Sequence, residues 1–157
     1  MRGPRRSRTV RGMSVSPNGV WRLRCDGGSR GNPGPGAYGF VLCDPSGAEV
    51  QAVGEFLGSV TNNVAEYRGL IAGLQAAAQA AVPVLEVSMD SELVVRQMTG
   101  EYRVKNAGLK PLHAEARAAA SRIGKVTFTS VRREHNQRAD ELVNEALDRA
   151  LKSESPR

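Results

Sequence analysis

The sequence contains few of the features that mark a secreted or membrane-spanning protein. Its two cysteines, Cys25 and Cys43, are too few for a disulfide framework, and we expect both to be buried thiols in a reducing, cytoplasmic compartment. No apolar run approaches the length of a membrane span, and the basic N-terminus lacks the apolar segment of a secretory signal. Hydrophobic residues form 40% of the chain, which argues against wholesale disorder.

Acidic residues are missing from the N-terminus, where the net charge of +6 is concentrated. Residues 1–19 carry five arginines and no acid, which leaves the remaining chain at only +1. Charge alone therefore does not predict nucleic-acid binding by the folded part. We interpret residues 1–19 as a disordered Arg-rich tail, residues 20–151 as one domain and residues 152–157 as a frayed C-terminus. The tail either adds nonspecific phosphate affinity or precedes the true start, since Met13 could also initiate.

The first folded stretch reads as a hairpin around a glycine-rich segment. Residues 21–26 alternate apolar and basic side chains, which is the pattern of a strand. Gly and Pro dominate residues 27–36, so we expect a turn there, and residues 37–43 should pair back on the first strand. A third, edge-like strand from Glu49 to Leu57 completes a meander.

Strand and helix patterns alternate along the rest of the chain. A long alanine-rich helix is predicted after Thr61, and it is followed by a strand over residues 84–89. A crossover through a helix makes this strand a parallel neighbour of the first. Two further helices, a fifth strand and a last helix follow. The predicted fold class is α/β, a five-stranded mixed sheet flanked by helices in the order β-β-β-α-β-α-α-β-α.

Four acids occupy positions where a solvated acid would be unusual. Asp26 and Asp90 each end a strand, and two parallel neighbours would bring both carboxylates to the same sheet edge. Glu66 and Asp140 begin helices on the inward-facing stripe. Crowded carboxylates repel each other unless a cation compensates, and hard divalent cations prefer oxygen ligands. The pattern therefore predicts two Mg²⁺ or Mn²⁺ ions roughly 4 Å apart, a clamp for phosphoryl displacement.

Each acid taken alone also has an ordinary structural explanation. An acid at a helix N-terminus, such as Glu66 or Asp140, commonly interacts with the helix dipole. Asp26 before a glycine-rich segment is compatible with an Asx turn. Spacing by itself leaves these alternatives open.

Four motifs nevertheless resemble, in order, those of the type 1 ribonuclease H family over residues 20 to about 150. The combination of a TNNxAE motif with four spaced acids is specific, and the form looks most like the short archaeal and actinobacterial variants. The motifs are Cys25–Gly28 leading to Gly31–Gly34, Thr61–Glu66, Met89–Ser91 and Asn136–Asp140.

The resemblance implies a ribonuclease H-like fold and a hydrolytic enzyme. By this likeness the protein cleaves the RNA strand of an RNA/DNA hybrid endonucleolytically, leaving 5′-phosphate and 3′-hydroxyl ends. We expect a monomer, although the sequence itself leaves the oligomeric state open. Two Mg²⁺ or Mn²⁺ ions would be bound, with Asp26 bridging them, Glu66 and Asp90 sharing them, and Asp140 completing one site.

The resemblance also implies which residues contact the substrate. Asn32 and backbone amides of the Gly28–Gly31 turn would meet RNA 2′-hydroxyl groups, the feature that separates RNA from DNA. Asn62 and Asn63 are similar to minor-groove contacts of the family. The remaining pair, Thr61 and Asn106, resembles a pocket for a DNA-strand phosphate.

Two departures from the family pattern concern the last loop and the middle of the chain. The family's loop histidine would fall at Ser130, whereas His135 lies only five residues before Asp140. His135 is our candidate for proton shuttling or product release, with Arg132 or Arg133 as the alternative. The segment between Asp90 and Asn106 is also too short for the basic protruding helix of some relatives.

Two other functions stay open from the sequence. One is a noncatalytic hybrid- or RNA-binding module on the same fold, because fold does not fix function. The other is a nuclease of the same superfamily that cuts DNA or structured RNA. The complete set of four acids disfavours the first, and the TNN motif with Asn32 disfavours the second.

Overall fold

The computed structural model describes residues 19–154, so the predicted Arg-rich tail lies, except for its last residue, outside the described residues. Five strands and four helices follow in the predicted order, with a 3₁₀ turn at Arg133–His135 before the last helix. The strands are β1 (Trp21–Ser29), β2 (Gly34–Cys43), β3 (Glu49–Val60), β4 (Val84–Met89) and β5 (Lys125–Ser130). The helices are α1 (Asn62–Gln79), α2 (Glu92–Thr99), α3 (Lys110–Ala120) and α4 (Gln137–Glu154).

The five strands form one mixed sheet in the order β3-β2-β1-β4-β5. β1, β2 and β3 pair antiparallel as a meander, and β1 pairs parallel with β4, which pairs parallel with β5. The predicted crossover is therefore confirmed, and β1 lies at the centre of the sheet. α4 extends to Glu154, into the segment predicted to fray.

The glycine-rich stretch differs from its prediction. A turn was expected over residues 27–36, but β1 continues to Ser29 and β2 begins at Gly34, with Gly27 paired to Tyr38. Only residues 30–33 form the turn, and Gly31 there adopts a φ of +92°. Gly27 has a packing role instead, because a Cβ on it would overlap the carbonyl of Ala65 in α1. Position 27 therefore requires glycine, because the helix packs too closely against the strand for any side chain.

Helices cover both faces of the sheet. Alternate residues of β2 point to opposite layers, so that Phe40 joins the core beneath α1, α2 and α3 while Ala37 packs against α4. α4 also lies close to β2, because a Cβ on Gly39 would stand 2.7 Å from the carbonyl oxygen of Ala139. In each layer, the first turns of one helix therefore lie against the central strands: α1 packs on β1, and α4 packs on β2.

Two predictions about the chain's environment concern its thiols and its hydropathy. Cys25 and Cys43 are both buried and free, as predicted. Between residues 19 and 154, no helix has the length and apolar character needed to cross a bilayer.

Candidate active site

Two carboxylates lie at equivalent positions on neighbouring parallel strands. Cys25 of β1 is in register with Met89 of β4, so Asp26 and Asp90, which follow them, lie side by side where the pairing of these two parallel strands ends. The expectation that Asp26 ends its strand was wrong, because β1 stays paired with β2 as far as Ser29. Asp26 is almost fully buried, with 6% of its surface exposed, and Asp90 is partly buried. This is the sheet edge that the sequence predicted, and the parallel register produces the proximity.

Glu66 reaches the same place from the start of α1. Thr61 caps that helix by accepting a hydrogen bond from the Val64 backbone N–H at 3.3 Å. Gly27 and Gly69 lie at the contact between β1 and α1, and a Cβ on Gly69 would stand 2.6 Å from the Asp26 carbonyl oxygen. Because both positions lack a side chain, the buried Glu66 carboxylate lies directly beside those of β1 and β4.

Asp140 approaches from the first turn of α4, on the other side of β1. Asn136, which is fully buried, donates a hydrogen bond from its Nδ2 to the Cys25 carbonyl at 2.9 Å. Its own carbonyl accepts from the Asp140 backbone N–H at 3.1 Å and so begins the helix. Asn136 therefore fixes the start of α4 to the strand that carries Asp26.

The four carboxylates line one cavity of about 310 Å³. One ligand oxygen from each of Asp26, Glu66 and Asp90 lies within 4.8 Å of the other two, and Asp140 lines the same cavity. Oε1 of Glu66 is buried and has no hydrogen-bond partner among the described residues. Converging oxygen ligands with one left unpartnered suit a hard divalent cation, so the donor set fits Mg²⁺ or Mn²⁺.

Burial and mutual repulsion raise the pKa values of three of the acids. Burial, reinforced by the charge of Asp90, raises the pKa of Asp26 to about 7. Burial also raises the pKa of Glu66, with the charges of Asp26 and Asp90 adding to the effect. Burial raises the pKa of Asp90 too, although a hydrogen bond from Asn136 and the charge of Arg133 oppose it. A cluster of this kind holds its full negative charge at neutral pH only with a compensating cation.

Another part of the cavity wall is formed by the last residues of β1 and the first residue of α1. Gly28, Ser29 and Asn62 line the cavity. The Oδ1 atom of Asn62 accepts a hydrogen bond from the Ser29 backbone N–H at 2.8 Å, and the Asn62 backbone N–H donates to Asn32 Oδ1 at 3.0 Å. Of the predicted contact residues, Gly28 and Asn62 therefore line the cavity with the acids, and Asn32 is held next to them by its hydrogen bond with Asn62.

A larger groove elsewhere does not compete with this site. It has a volume of about 730 Å³ and lies beside β5, α2 and α3. Its lining is mostly apolar and includes Met98, Ile123 and Phe128, and Arg117 is its charged residue. A surface without a carboxylate, histidine or cysteine offers no group for acid–base or metal chemistry.

Comparison with known proteins places the chain in a family. A family model described as reverse transcriptase-like matches residues 24–146. The bifunctional protein Rv2228c of Mycobacterium tuberculosis is 46% identical over 132 residues, a match that covers 83% of this chain and 36% of the relative. The solved structure of RNase H1 from Halobacterium salinarum has a TM-score of 0.80 at 42% identity, covering 83% of this chain and 99% of that one. The chain belongs to the type 1 ribonuclease H family.

Membership of the ribonuclease H family confirms the predicted architecture. LC11-RNase H1, solved in complex with an RNA/DNA hybrid, has a TM-score of 0.79 at 43% identity and covers 83% of this chain and 99% of that one. The chain spans only about a third of Rv2228c, a relative whose name describes more than one function.

The remaining predicted substrate contacts lie outside the cavity of this ribonuclease H domain. The side-chain oxygen of Thr61 accepts a hydrogen bond at the start of α1. Asn106 Oδ1 accepts a hydrogen bond from the Gly108 backbone N–H at 2.7 Å, shortly before α3 begins. Asn63 is exposed in the first turn of α1. None of the three lines the cavity, so their contacts with substrate stay predictions.

The candidate loop histidine does not reach the cavity of the ribonuclease H domain. His135 ends the 3₁₀ turn, is exposed and does not line the cavity. Arg133, two residues earlier, does line it, and its charge lowers the pKa of Asp90. Of the three residues that the sequence offered for this role, the geometry favours Arg133 over Arg132 and His135.

Three residues of the site were given no role from the sequence. Asn136 is the first residue of the Asn136–Asp140 motif, and its position just before a predicted helix could have identified it as the residue that begins α4. Asn144 follows Asp140 by four residues, which puts both on one face of α4. Arg30 lies in the glycine-rich turn, and its contacts with α4 had no signal in the sequence.

Proposed function

We propose that the protein hydrolyses the RNA strand of RNA/DNA hybrids endonucleolytically and leaves 5′-phosphate and 3′-hydroxyl ends. One observation carries the proposal: three buried or partly buried carboxylates from β1, α1 and β4 converge within 4.8 Å. Their raised pKa values and the unpartnered Glu66 oxygen support a cation-dependent site. The hybrid substrate is supported by the LC11-RNase H1 complex, which has the same fold at 43% identity.

The four acids of the cavity would bind the metal ions, and Asn136 would keep one of the acid-bearing helices in position. When bound, two Mg²⁺ or Mn²⁺ ions would activate the attacking water and stabilise the departing 3′ oxygen. Asp26, Glu66, Asp90 and Asp140 are the residues in position to bind them. Asn136 keeps the start of α4 on β1 through its 2.9 Å bond to Cys25.

Selection for RNA would come from the wall of Gly28, Ser29 and Asn62. A 2′-hydroxyl both donates and accepts hydrogen bonds, and it is the group that lets a protein separate RNA from DNA. Asn62 still has its Nδ2 donors available, since Oδ1 accepts the bond from the Ser29 backbone. Asn32 is oriented by the Asn62 backbone N–H. Arg133, on the cavity, would provide a cation for substrate phosphates.

We further propose a monomer in the cytoplasm. The two buried free thiols, Cys25 and Cys43, support a reducing compartment. Burial raises the pKa of the Cys25 thiol, which keeps it protonated and unreactive beside the acids.

The test is a cleavage assay on three matched duplexes of one sequence: hybrid, double-stranded RNA and double-stranded DNA, each labelled at one 5′ end. We expect cleavage of the hybrid alone, with Mg²⁺ or Mn²⁺, and none in EDTA. Extension of the fragments by a polymerase would show the 3′-hydroxyl ends. Full activity in chelator, or cleavage of double-stranded DNA at the rate of hybrid, would reject the proposal.

A pair of Asp→Asn variants separates the site from general effects of lost charge. Asp26→Asn should abolish cleavage while leaving hybrid binding measurable. Asp44→Asn, in the exposed turn between β2 and β3, should cleave at the wild-type rate. Equal rates for Asp26→Asn and wild type would exclude this cavity as the catalytic centre.

A further inference from the structure

Arg30 lines the cavity, but the functions proposed for the four acids and for Gly28, Ser29 and Asn62 do not account for its contacts. It stands in the turn between β1 and β2, and its guanidinium extends to α4, more than 100 residues later in the chain. Its Nη2 donates to Asp148 Oδ1 at 2.8 Å and to Asn144 Oδ1 at 3.4 Å. Arg30 and Asn144 also line the cavity that holds the four acids.

Asn144 carries this contact onward to the fourth acid. Its Nδ2 donates to Asp140 Oδ2 at 3.3 Å and to the Asp140 carbonyl at 3.1 Å. A guanidinium only donates hydrogen bonds, so the Asn144 atom facing Arg30 must be its oxygen. The amide group at the other end of the side chain is then directed at the Asp140 carboxylate. Arg30 thus selects which way the Asn144 amide points.

The turn that carries Arg30 is fixed on its other side as well. Ser29 and Asn32 are bound to Asn62 at the start of α1, through the 2.8 and 3.0 Å bonds of the cavity wall. One short turn therefore connects the surface proposed to meet the RNA strand with the helix that presents Asp140. A displacement of the turn would be transmitted to both.

Stability of the fold does not account for the Arg30 contacts. The side chains of Arg30 and Asp148 are 42% and 69% exposed. An exposed ion pair contributes on the order of 0–1 kcal/mol because water screens it and both side chains lose freedom. Effects of Arg30 on the site and on folding can therefore be separated by experiment.

We propose that Arg30 is a positioning residue, which through Asn144 holds the Asp140 carboxylate toward the cavity and couples the RNA-facing turn to α4. The proposal rests on the proposed function in so far as Asp140 binds a metal ion. Asp148 keeps the guanidinium in place from the far side. Asp140, Asn144 and Asp148, spaced four residues apart, form one polar row along α4 beneath the turn.

The experiment compares Arg30→Met, Arg30→Lys and Asn144→Ala with wild type. Arg22→Met is the matched control, since Arg22 on β1 forms an exposed ion pair with Glu86 on the neighbouring strand β4 and does not line the cavity. Mn²⁺ binding is measured by calorimetry without nucleic acid, and half-activation by Mg²⁺ is measured on the hybrid. The side-chain amide signals of Asn144 are followed by NMR in the metal-free protein.

Arg30→Met should weaken Mn²⁺ binding about tenfold, at the lower end of what loss of a ligand's supporting partner costs. The Mg²⁺ concentration for half-activation should rise by a similar factor, while the melting temperature stays within about 2 °C. Asn144→Ala should have the same effect, and the double variant should be no worse than either single change. Arg30→Lys should fall between, because lysine retains the charge without the planar fork.

Other outcomes distinguish this proposal from its alternatives. Unchanged Mn²⁺ binding and unchanged Asn144 signals in Arg30→Met would overturn it. Unchanged metal binding with a salt-dependent rise in KM for hybrid would also overturn it, and would make Arg30 a direct phosphate contact. If wild type binds Mn²⁺ but cleaves no hybrid, the function fails while the Mn²⁺ comparison still decides the role of Arg30. Absence of Mn²⁺ binding by wild type would reject both.

Discussion

Replacement of Asp26 by asparagine should stabilise the metal-free protein while it destroys the proposed activity. A carboxyl group whose pKa is raised on folding binds its proton more tightly in the folded state than in the unfolded chain. For Asp26 the pKa rises from 3.8 to about 7, chiefly through burial. The stability that this group contributes is therefore present below pH 3.8 and is lost as the pH rises toward 7. Asparagine has nearly the same shape and carries no charge to bury.

The size of the effect follows from the pKa of Asp26. A rise of about three units, at about 1.4 kcal/mol for each unit, corresponds to about 4 kcal/mol of stability lost above pH 7. We expect Asp26→Asn to recover about 2–4 kcal/mol, since water and relaxation lower the cost in wild type. For a domain of this size, that gain raises the melting temperature by roughly 6–12 °C.

The assay is chemical denaturation in EDTA at several values between pH 4 and pH 9. The difference between variant and wild type should be small at pH 4, grow through the interval up to pH 7 and stay constant above it. Added Mg²⁺ should stabilise wild type and leave the variant nearly unchanged, because binding to the folded state alone shifts stability. Equal unfolding free energies for the two proteins at pH 8.5 in EDTA would refute the reasoning.

Asp44→Asn provides a control of opposite sign. A hydrogen bond from Ser46 lowers the pKa of Asp44, so its ionised carboxylate stabilises the turn between β2 and β3 above its unfolded pKa. Replacing it with asparagine should lower stability slightly at neutral pH, and EDTA or Mg²⁺ should make no difference. A stabilising effect of both substitutions would indicate a general effect of net charge instead of the cavity.

Three further substitutions test the packing and the loop. Gly27→Ala should destabilise the fold by about 1–3 kcal/mol or more, measured by denaturation, because its Cβ overlaps the α1 backbone, whereas Gly28→Ala meets its nearest atom at 3.8 Å and should cost far less. Asn136→Ala should cost about 1–3 kcal/mol and slow hybrid cleavage, because the Cys25 carbonyl loses its buried donor; wild-type stability would contradict this role. Arg133→Ala should lower turnover on hybrid more than His135→Ala does, and the reverse order would restore the histidine.

Local patterns in the sequence were sufficient for most of the fold. The long helix after Thr61 was predicted, and Leu70, Ile71 and Leu74, which stand at helical spacing within it, are all buried. Serine is a favoured N-cap residue, and Ser91 accepts a hydrogen bond from the Val94 backbone N–H at 3.3 Å. Such features depend on residues within one or two turns of each other, so they can be read without knowing where the rest of the chain lies.

The glycine-rich stretch shows where local reasoning was wrong. Gly and Pro lower strand propensity, which made a turn over residues 27–36 the natural prediction. Gly27 instead belongs to β1, paired with Tyr38, and it is glycine because α1 crosses it too closely for any side chain. A local preference of about 1 kcal/mol gives way to a packing requirement of several kcal/mol.

The sequence by itself determined the inventory of the site: four acids, within motifs of the ribonuclease H family. Only the tertiary structure decided which side chains serve those acids. Asn136 reaches the Cys25 carbonyl across 111 positions, and Arg30 reaches Asn144 across 114. Arg133, not His135, lines the cavity, although the two are only two residues apart. Periodicity and capping act over a few residues, whereas these contacts exist only because packed helices bring distant segments to the end of β1.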